Sequence, residues 1–209
     1  MKTYDASAFP SDIDLDSMKV INWAPVLMTR TERLMLFALV VGLRPLRYLE
    51  IGTFKGGSAL VVASAMDEVR SPGVMVCLDP QPQVADDHWE RIHHRAILIK
   101  GQSPDALPSA VEAAGGEFDF VLIDGDHSEE GVLRDASAVL PLAADGAHFL
   151  FHDSYNPDVA RGIDRFVRQH AKALVNFGEM TSEYTIIVQN NTNVKWGGLR
   201  MVRFQKKAT

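Results

Sequence analysis

The most constraining feature of this chain is a set of short apolar runs, each of which stops abruptly at a glycine or an ionisable residue. Arg47 to Ile51 ends at Gly52, Val74 to Leu78 at Asp79, Ala96 to Lys100 at Gly101, Phe118 to Ile123 at Asp124, and Ala147 to Phe151 at His152. Runs this short and this evenly apolar suit strands covered on both faces, which is the environment of a parallel sheet. Helical stretches separate them. Thr29 and Glu32 have capping-box spacing ahead of the apolar segment Leu34 to Leu43, and a second helix is expected over Gly57 to Val69. Ser103 is positioned to cap a helix with Pro104 at its first position; further helices are read from Ser128 to Leu140 and from Asn156–Pro157 to about Ala173. The alternation predicts an α/β fold, a Rossmann-like three-layer sandwich around a mostly parallel seven-stranded sheet. In the tail, Tyr184 to Gln189 and Leu199 to Phe204 flank a polar stretch, Asn190 to Gly198, and are expected to pair as a C-terminal antiparallel hairpin.

Length and charge narrow the class. At 209 residues one domain is expected, divided here into an N-terminal extension, 1–28, and a single domain, 29–209. A formal net charge of −6 argues against broad binding to nucleic acid, whose phosphates require a basic face. Cys77 is the only cysteine, so neither an internal disulfide nor a thiolate zinc cluster is available, which fits a reducing cytoplasm. No apolar run reaches the roughly 18 residues of a membrane span, and Met1 to Asp16 lacks the basic start and apolar centre of a secretory signal.

In open α/β sheets ligands bind beyond the carboxyl ends of the strands, so the residues that end the runs are the place to look for chemistry. After the first run, Gly52, Gly56 and Gly57 permit a sharp turn and close approach, and the following helix would offer its N-terminal amides to an anion. The spacing is neither GxGxxG nor GxxxxGK[ST]. Asp79, ending the second run, is placed to accept hydrogen bonds from the hydroxyls of a ribose.

YLEIGTFKGGSAL, residues 48–60, resembles the first motif of class I S-adenosylmethionine-dependent methyltransferases, in particular their small-molecule O-methyltransferase branch. The likeness continues through CLDP at Asp79, GQSPDAL at 101–107, FDFVLIDGDHSEE at 118–130 and FLFHDSY at 149–155. The order IDGDHS, helix, HD is similar to a bacterial group that includes macrolide-sugar O-methyltransferases and a cephalosporin hydroxylation-associated protein. The resemblance implies S-adenosyl-L-methionine as cofactor. By the same resemblance Gly52, Thr53, Gly56 and Ser58 would hold its methionine carboxylate, Glu50 its ammonium, Asp79 its ribose, and Gln102 and Ser103 its adenine, with Asp124 near the sulfonium. Lys55 departs from the small residue usual in this loop and is expected to face solvent, since inside it would oppose the sulfonium.

A hydroxyl acceptor must lose its proton or be polarised before it attacks a methyl group. Asp124, His152 and Asp153 fall at adjacent strand ends and offer oxygen and nitrogen donors for one divalent ion. Related O-methyltransferases place magnesium there with carboxylates or an amide; His152 is a departure that leaves manganese, iron, zinc or no metal open alongside magnesium. His127 is the leading candidate base and His152 its rival, with helix capping as the structural alternative for His127 and for Asp126. The cluster His88, Trp89, His93 and His94 reads as an exposed amphipathic helix, and Trp23, Tyr155 and Trp196 are candidates for an acceptor wall. The expected function is O-methylation of a small hydroxylated metabolite, sugar or polyketide-like. The resemblance also carries a homodimer or larger assembly. The competing readings are an NAD-dependent oxidoreductase, which predicts the absent GxGxxG, and a non-catalytic cofactor-binding module.

Overall fold

The computed structural model describes residues 16–206. The reading over Met1 to Asp16 lies outside this range except at Asp16, as does Lys207 at the other terminus. A single 3-10 turn at Ser17–Lys19 leads into α1 (Val20–Trp23) and α2 (Arg30–Leu43). Then follow β1 (Arg47–Ile51), α3 (Gly57–Glu68), β2 (Val74–Asp79), α4 (Asp86–Ile92), β3 (Ala96–Lys100), α5 (Leu107–Ala114), β4 (Phe118–Ile123) and α6 (Glu129–Val139). The chain finishes with β5 (Ala143–Phe151), α7 (Pro157–Gln169), β6 (Leu174–Glu179), β7 (Thr185–Gln189), β8 (Thr192–Trp196) and β9 (Arg200–Phe204).

Seven strands form one sheet in the order β3-β2-β1-β4-β5-β9-β6. The first five in that order run parallel, and β9 inserts antiparallel between β5 and β6. Successive residues of a strand point to opposite faces, so each central strand feeds two cores. Tyr48, Met75, Cys77 and Phe120 meet α1 to α4 on one side, whereas Leu49, Val76, Val121 and Phe149 meet α5 to α7 on the other. The result is the expected three-layer α/β sandwich with a mostly parallel sheet. Among the described residues no helix is long and apolar enough to cross a membrane.

Three expectations need correcting. The tail does contain an antiparallel hairpin, but it pairs β7 with β8, the latter drawn from the polar stretch assigned to a connection. Leu199 to Phe204 instead supplies β9 of the main sheet. Thr192–Trp196 interleaves polar residues with Val194 and Trp196 and so carries no apolar run, unlike its equally exposed partner β7. The edge strand β6 was hidden for the same reason, lying next to a helix that ends at Gln169 rather than near Ala173. Finally, Ser103–Pro104 does not open α5. The helix starts at Leu107 with Ala106 as its cap residue, and Pro108 takes the early position assigned to Pro104.

The segment before α2 is built into the fold. Arg33 donates to the carbonyls of Ile21, Val26 and Met28, each at 2.9 Å, and Val20, Ala24, Val26 and Met28 join the core beneath α2 and α3. The capping box on α2 is formed as read, with Glu32 Nitrogen donating to Thr29 Oγ1 and the Glu32 carboxylate accepting from the Thr29 amide.

Candidate active site

The strand order reverses between β1 and β4, and their carboxyl ends come together there. Gly52 marks the junction: with φ of +95°, a Cβ at this position would lie 2.1 Å from the carbonyl oxygen of Asp124. Only glycine allows that approach. Above it opens a cavity of about 960 Å³, in the range of small-molecule sites.

Asp79 stands at one end. Its carboxylate accepts from the amides of Phe54 and Gln81, both at 2.7 Å, so β2 is locked onto the glycine loop. Gly52, Thr53, Ser58, Gln102 and Ser103 line the same end. Thr53 Oγ and Ser103 Oγ are buried there without a partner in hydrogen-bond geometry. Lys55 is exposed, its ammonium 5.3 Å from the Phe54 ring, but it also lines the cavity rather than facing only solvent. Glu50 and Gly56 do not reach the wall. Glu50 is wholly buried one layer below, accepting from the Tyr48 hydroxyl at 3.0 Å. Burial pushes its carboxyl up to about 7, against the pull of the Ser58 and Tyr48 hydroxyls.

At the other end Asp124, His127, His152 and Asp153 have ligand atoms all within 4.8 Å of one another. His152 Nδ1 lies 2.8 Å from Asp124 Oδ1 and 3.3 Å from Asp153 Oδ2, and His127 Nε2 lies 3.0 Å from Asp153 Oδ2 and 3.5 Å from Asp124 Oδ1. Burial opposes charge on Asp124, but the two imidazoles outweigh it and hold the carboxyl at about 2. Burial likewise disfavours the His127 cation; hydrogen bonding and attraction to Asp124 and Asp153 reverse this and lift its pKa to about 9. His152 is raised well above its ordinary value against an even stronger burial effect, by Asp124, Glu32 and Asp153. Both rings therefore carry protons at neutral pH when no cation competes for the carboxylates.

Asp153 adopts φ of +55°, and its Oδ1 accepts from the Gly197 amide at 2.5 Å. That bond ties the end of β5 to the turn after β8, where Trp196 presents its ring to His127 at 5.3 Å in an edge arrangement. The helix cap expected from His127 falls to Ser128, whose hydroxyl accepts from Gly131 at 3.0 Å, with Asp126 accepting from the Ser128 amide at 2.9 Å. Of the aromatic candidates for an acceptor wall only Trp196 lines the cavity. Trp23 instead packs near His88 and under Arg91, and Tyr155 donates to the Thr181 carbonyl at 2.7 Å. Residues 25–28 and one face of β7, Thr185, Ile187 and Gln189, complete that side.

Sequence reasoning assigned no site role to two buried acids that line this cavity, Glu32 and Asp135. Glu32 was legible only as a helix cap, and Asp135 falls on an amphipathic helix where nothing distinguishes it from a solvated residue.

A family model described as a methyltransferase domain matches residues 49–154. The chain is 27% identical over 116 residues to rhamnosyl O-methyltransferase of Mycobacterium tuberculosis, an alignment covering 54% of this chain and 47% of that protein. The chain thus spans about half the length of the curated relatives it matches. Among solved structures it is similar to the O-methyltransferase TomG of Streptomyces achromogenes in complex with SAM, at a TM-score of 0.65 and 17% identity, covering 98% of this chain and 92% of that one. An O-methyltransferase of Bacillus cereus in complex with SAH gives 0.60 and 19%, covering 95% and 94%. At these identities the structural matches speak to the fold.

Proposed function

Since the chain belongs to the methyltransferase-domain family that matches residues 49–154, we propose that it is an S-adenosylmethionine-dependent O-methyltransferase of a small hydroxylated metabolite, sugar or polyketide-like. The observation that carries this reading is that one cavity joins the Asp79 end to the His127–His152 end. The Thr53 and Ser103 hydroxyls, buried at the first end without a partner in hydrogen-bond geometry, fit a polar ligand, and the donors of Asp124, His127, His152 and Asp153 gathered at the second fit a cation. The sugar acceptor is supported by relatives named as rhamnosyl O-methyltransferases.

The methionine carboxylate is assigned to the Gly52–Ser58 loop and the N-terminus of α3, the ribose to Asp79, and the adenine to Gln102 and Ser103. Glu50, beneath the loop, is the carboxylate assigned to the ammonium and would meet it directly or through water, and Asp124 is the one assigned to the neighbourhood of the sulfonium. When bound, S-adenosylmethionine supplies an electrophilic methyl group, and a divalent magnesium or manganese ion lowers the pKa of the acceptor hydroxyl. Asp124, His152 and Asp153 are the ligands assigned to that ion. His127, on the cavity side of Asp153 and beside Trp196, is the assigned base, with His152 the alternative. With a pKa of about 9 it must shed its own proton before it can take one from the acceptor, so the base is competent only when Asp124 and Asp153 are engaged elsewhere.

Residues 29–209 are taken as the methyltransferase-like domain, with 1–28 as an extension whose described part packs on it. The setting proposed is cytoplasmic, with no nucleic-acid partner and with a homodimer or larger assembly as the working form. The test is equilibrium binding of S-adenosylmethionine, S-adenosylhomocysteine and NAD to the purified protein. Both sulfur ligands should bind and NAD should not; tight NAD binding without a response to either sulfur ligand overturns the reading. A screen of hydroxylated sugars for methyl transfer then identifies the acceptor.

A further inference from the structure

We propose that Glu32 is the positioning residue for His152, its carboxylate fixing the ring with Nε2–H toward α2 and Nδ1 toward Asp124 and Asp153. The inference rests on reading that cluster as a divalent-ion site.

Glu32 is completely buried in the first turn of α2. Its helix-capping duty uses one oxygen, Oε2, which accepts from the Thr29 amide. A neutral glutamine performs that duty as well, so capping gives no reason for a buried negative charge. The other oxygen, Oε1, accepts from the Gly198 amide and lies 3.6 Å from His152 Nε2. That is an ion-pair separation just beyond hydrogen-bond contact. Both oxygens accept main-chain N–H groups, from Thr29 and from Gly198, an arrangement that suits an ionised carboxylate.

His152 is therefore flanked on both nitrogens by carboxylates. Asp124 and Asp153 face Nδ1, and Glu32 faces Nε2. A ring that ligates an ion must present a lone pair on one nitrogen and carry its proton on the other. With Asp124 and Asp153 engaged by an ion, an ionised Glu32, which only accepts, selects the proton on Nε2 and leaves the Nδ1 lone pair on the side of the cluster. The backbone holds this arrangement: consecutive amides of Gly197 and Gly198 clamp Asp153 and Glu32 on either side of the ring. Both glycines have positive φ, +96° and +93°, and a Cβ at Gly198 would lie 2.6 Å from Ser154 Oγ and from the Tyr155 ring.

The experiment is a Mn²⁺ titration followed by electron paramagnetic resonance on wild type, Glu32→Gln and Thr29→Ala. Glu32→Gln loses the charge and, with a single carboxamide oxygen, keeps only one of the two amide contacts, to Thr29 or to Gly198; it should weaken Mn²⁺ binding by about 10- to 100-fold, the range for partners behind a ligand. Thr29→Ala removes the other half of the cap and should lower the melting temperature with unchanged Mn²⁺ affinity. Equal affinity in wild type and Glu32→Gln, or an equal loss in Thr29→Ala, overturns the positioning role while the ion site stands. Absence of Mn²⁺ binding to wild type overturns the ion site itself, and the positioning role with it. A second measurement does not depend on the variants folding. In ¹⁵N-histidine spectra of Mg²⁺-saturated wild type, the His152 proton should sit on Nε2, and finding it on Nδ1 overturns the proposal.

Discussion

The two ends of the cavity stabilise their acids by different means. Asp79 is held by two main-chain amides, those of Phe54 and Gln81. Asp124 is held by two imidazoles, those of His152 and His127. Main-chain amides keep their protons at any pH of interest, so the Asp79 end is a fixed part of the scaffold. The Asp124 end exists in its present form only while the rings are protonated, and a cation can replace those protons. On the proposed function, one end would receive a ligand of constant charge and the other would exchange one positive charge for another.

The sharpest way to break this contrast is at Asp124. Asp124→Asn leaves His152, almost wholly buried, without its nearest anion; removing one partner of a buried pair costs about 3–5 kcal/mol. Urea unfolding of the ion-free protein measures it, and an unchanged midpoint would show that the imidazoles do not depend on that carboxylate. Asp79→Asn should cost less, about 1.5–3 kcal/mol, since it loses a single charge-assisted acceptor. It should weaken S-adenosylhomocysteine binding and leave Mn²⁺ affinity unaltered. A parallel fall in Mn²⁺ affinity would mean that the two ends are not independent.

The most gradual effect, spread over several pH units, is the pH profile of stability without added ions. Asp124, lowered from 3.8 to about 2, stabilises above its unfolded value and loses that contribution as pH falls through 2. His127, raised from 6.5 to about 9, stabilises fully below 6.5 and loses its contribution as pH rises through 9. Glu50, raised from 4.5 to about 7, has the same sign over a lower window, fully present below 4.5 and lost through 7. The unfolding midpoint should therefore decline from about pH 5 to 9. Glu50→Gln should flatten the lower part of that decline and His127→Gln the upper part; a profile rising over this range would contradict both assignments. Mn²⁺ affinity should run the other way, increasing with pH as the rings give up their protons.

Sequence legibility followed apolar patterning, which burial supplies in the middle of the sheet and which the exposed β7 carries as Ile186, Ile187 and Val188. β1, β2, β4 and the end of β5 lie in the middle of the sheet, and double burial makes them uninterrupted apolar runs whose ends can be found by eye. β6 and β8 carry exposed residues and left no such trace. Leu199 to Phe204 was recognisable as a strand, but its partners were not, because pairing with β5 and β6 is decided by which edge is open. The acids and histidines after the strands were equally readable, since parallel strands deliver their ends to one side. The charge behind His152 was not: Glu32 precedes it by most of the chain, and the contact is made by packing α2 against the turn at Gly198.

The contact at Gly52 has a consequence for how such a protein can diversify. Because the loop after β1 rests directly on the backbone of Asp124, the spacing between the two ends of the cavity is set by main chain and cannot be retuned by exchanging side chains. It works as a fixed ruler beneath the cavity. The segments that close the far side, residues 25–28 and the β7–β8 hairpin, take no part in the Gly52–Asp124 contact itself, although Val26 packs on Gly57 and Trp196 on His127. On the proposed function, it is in these segments that a different acceptor would be admitted while the spacing between the two ends stays the same.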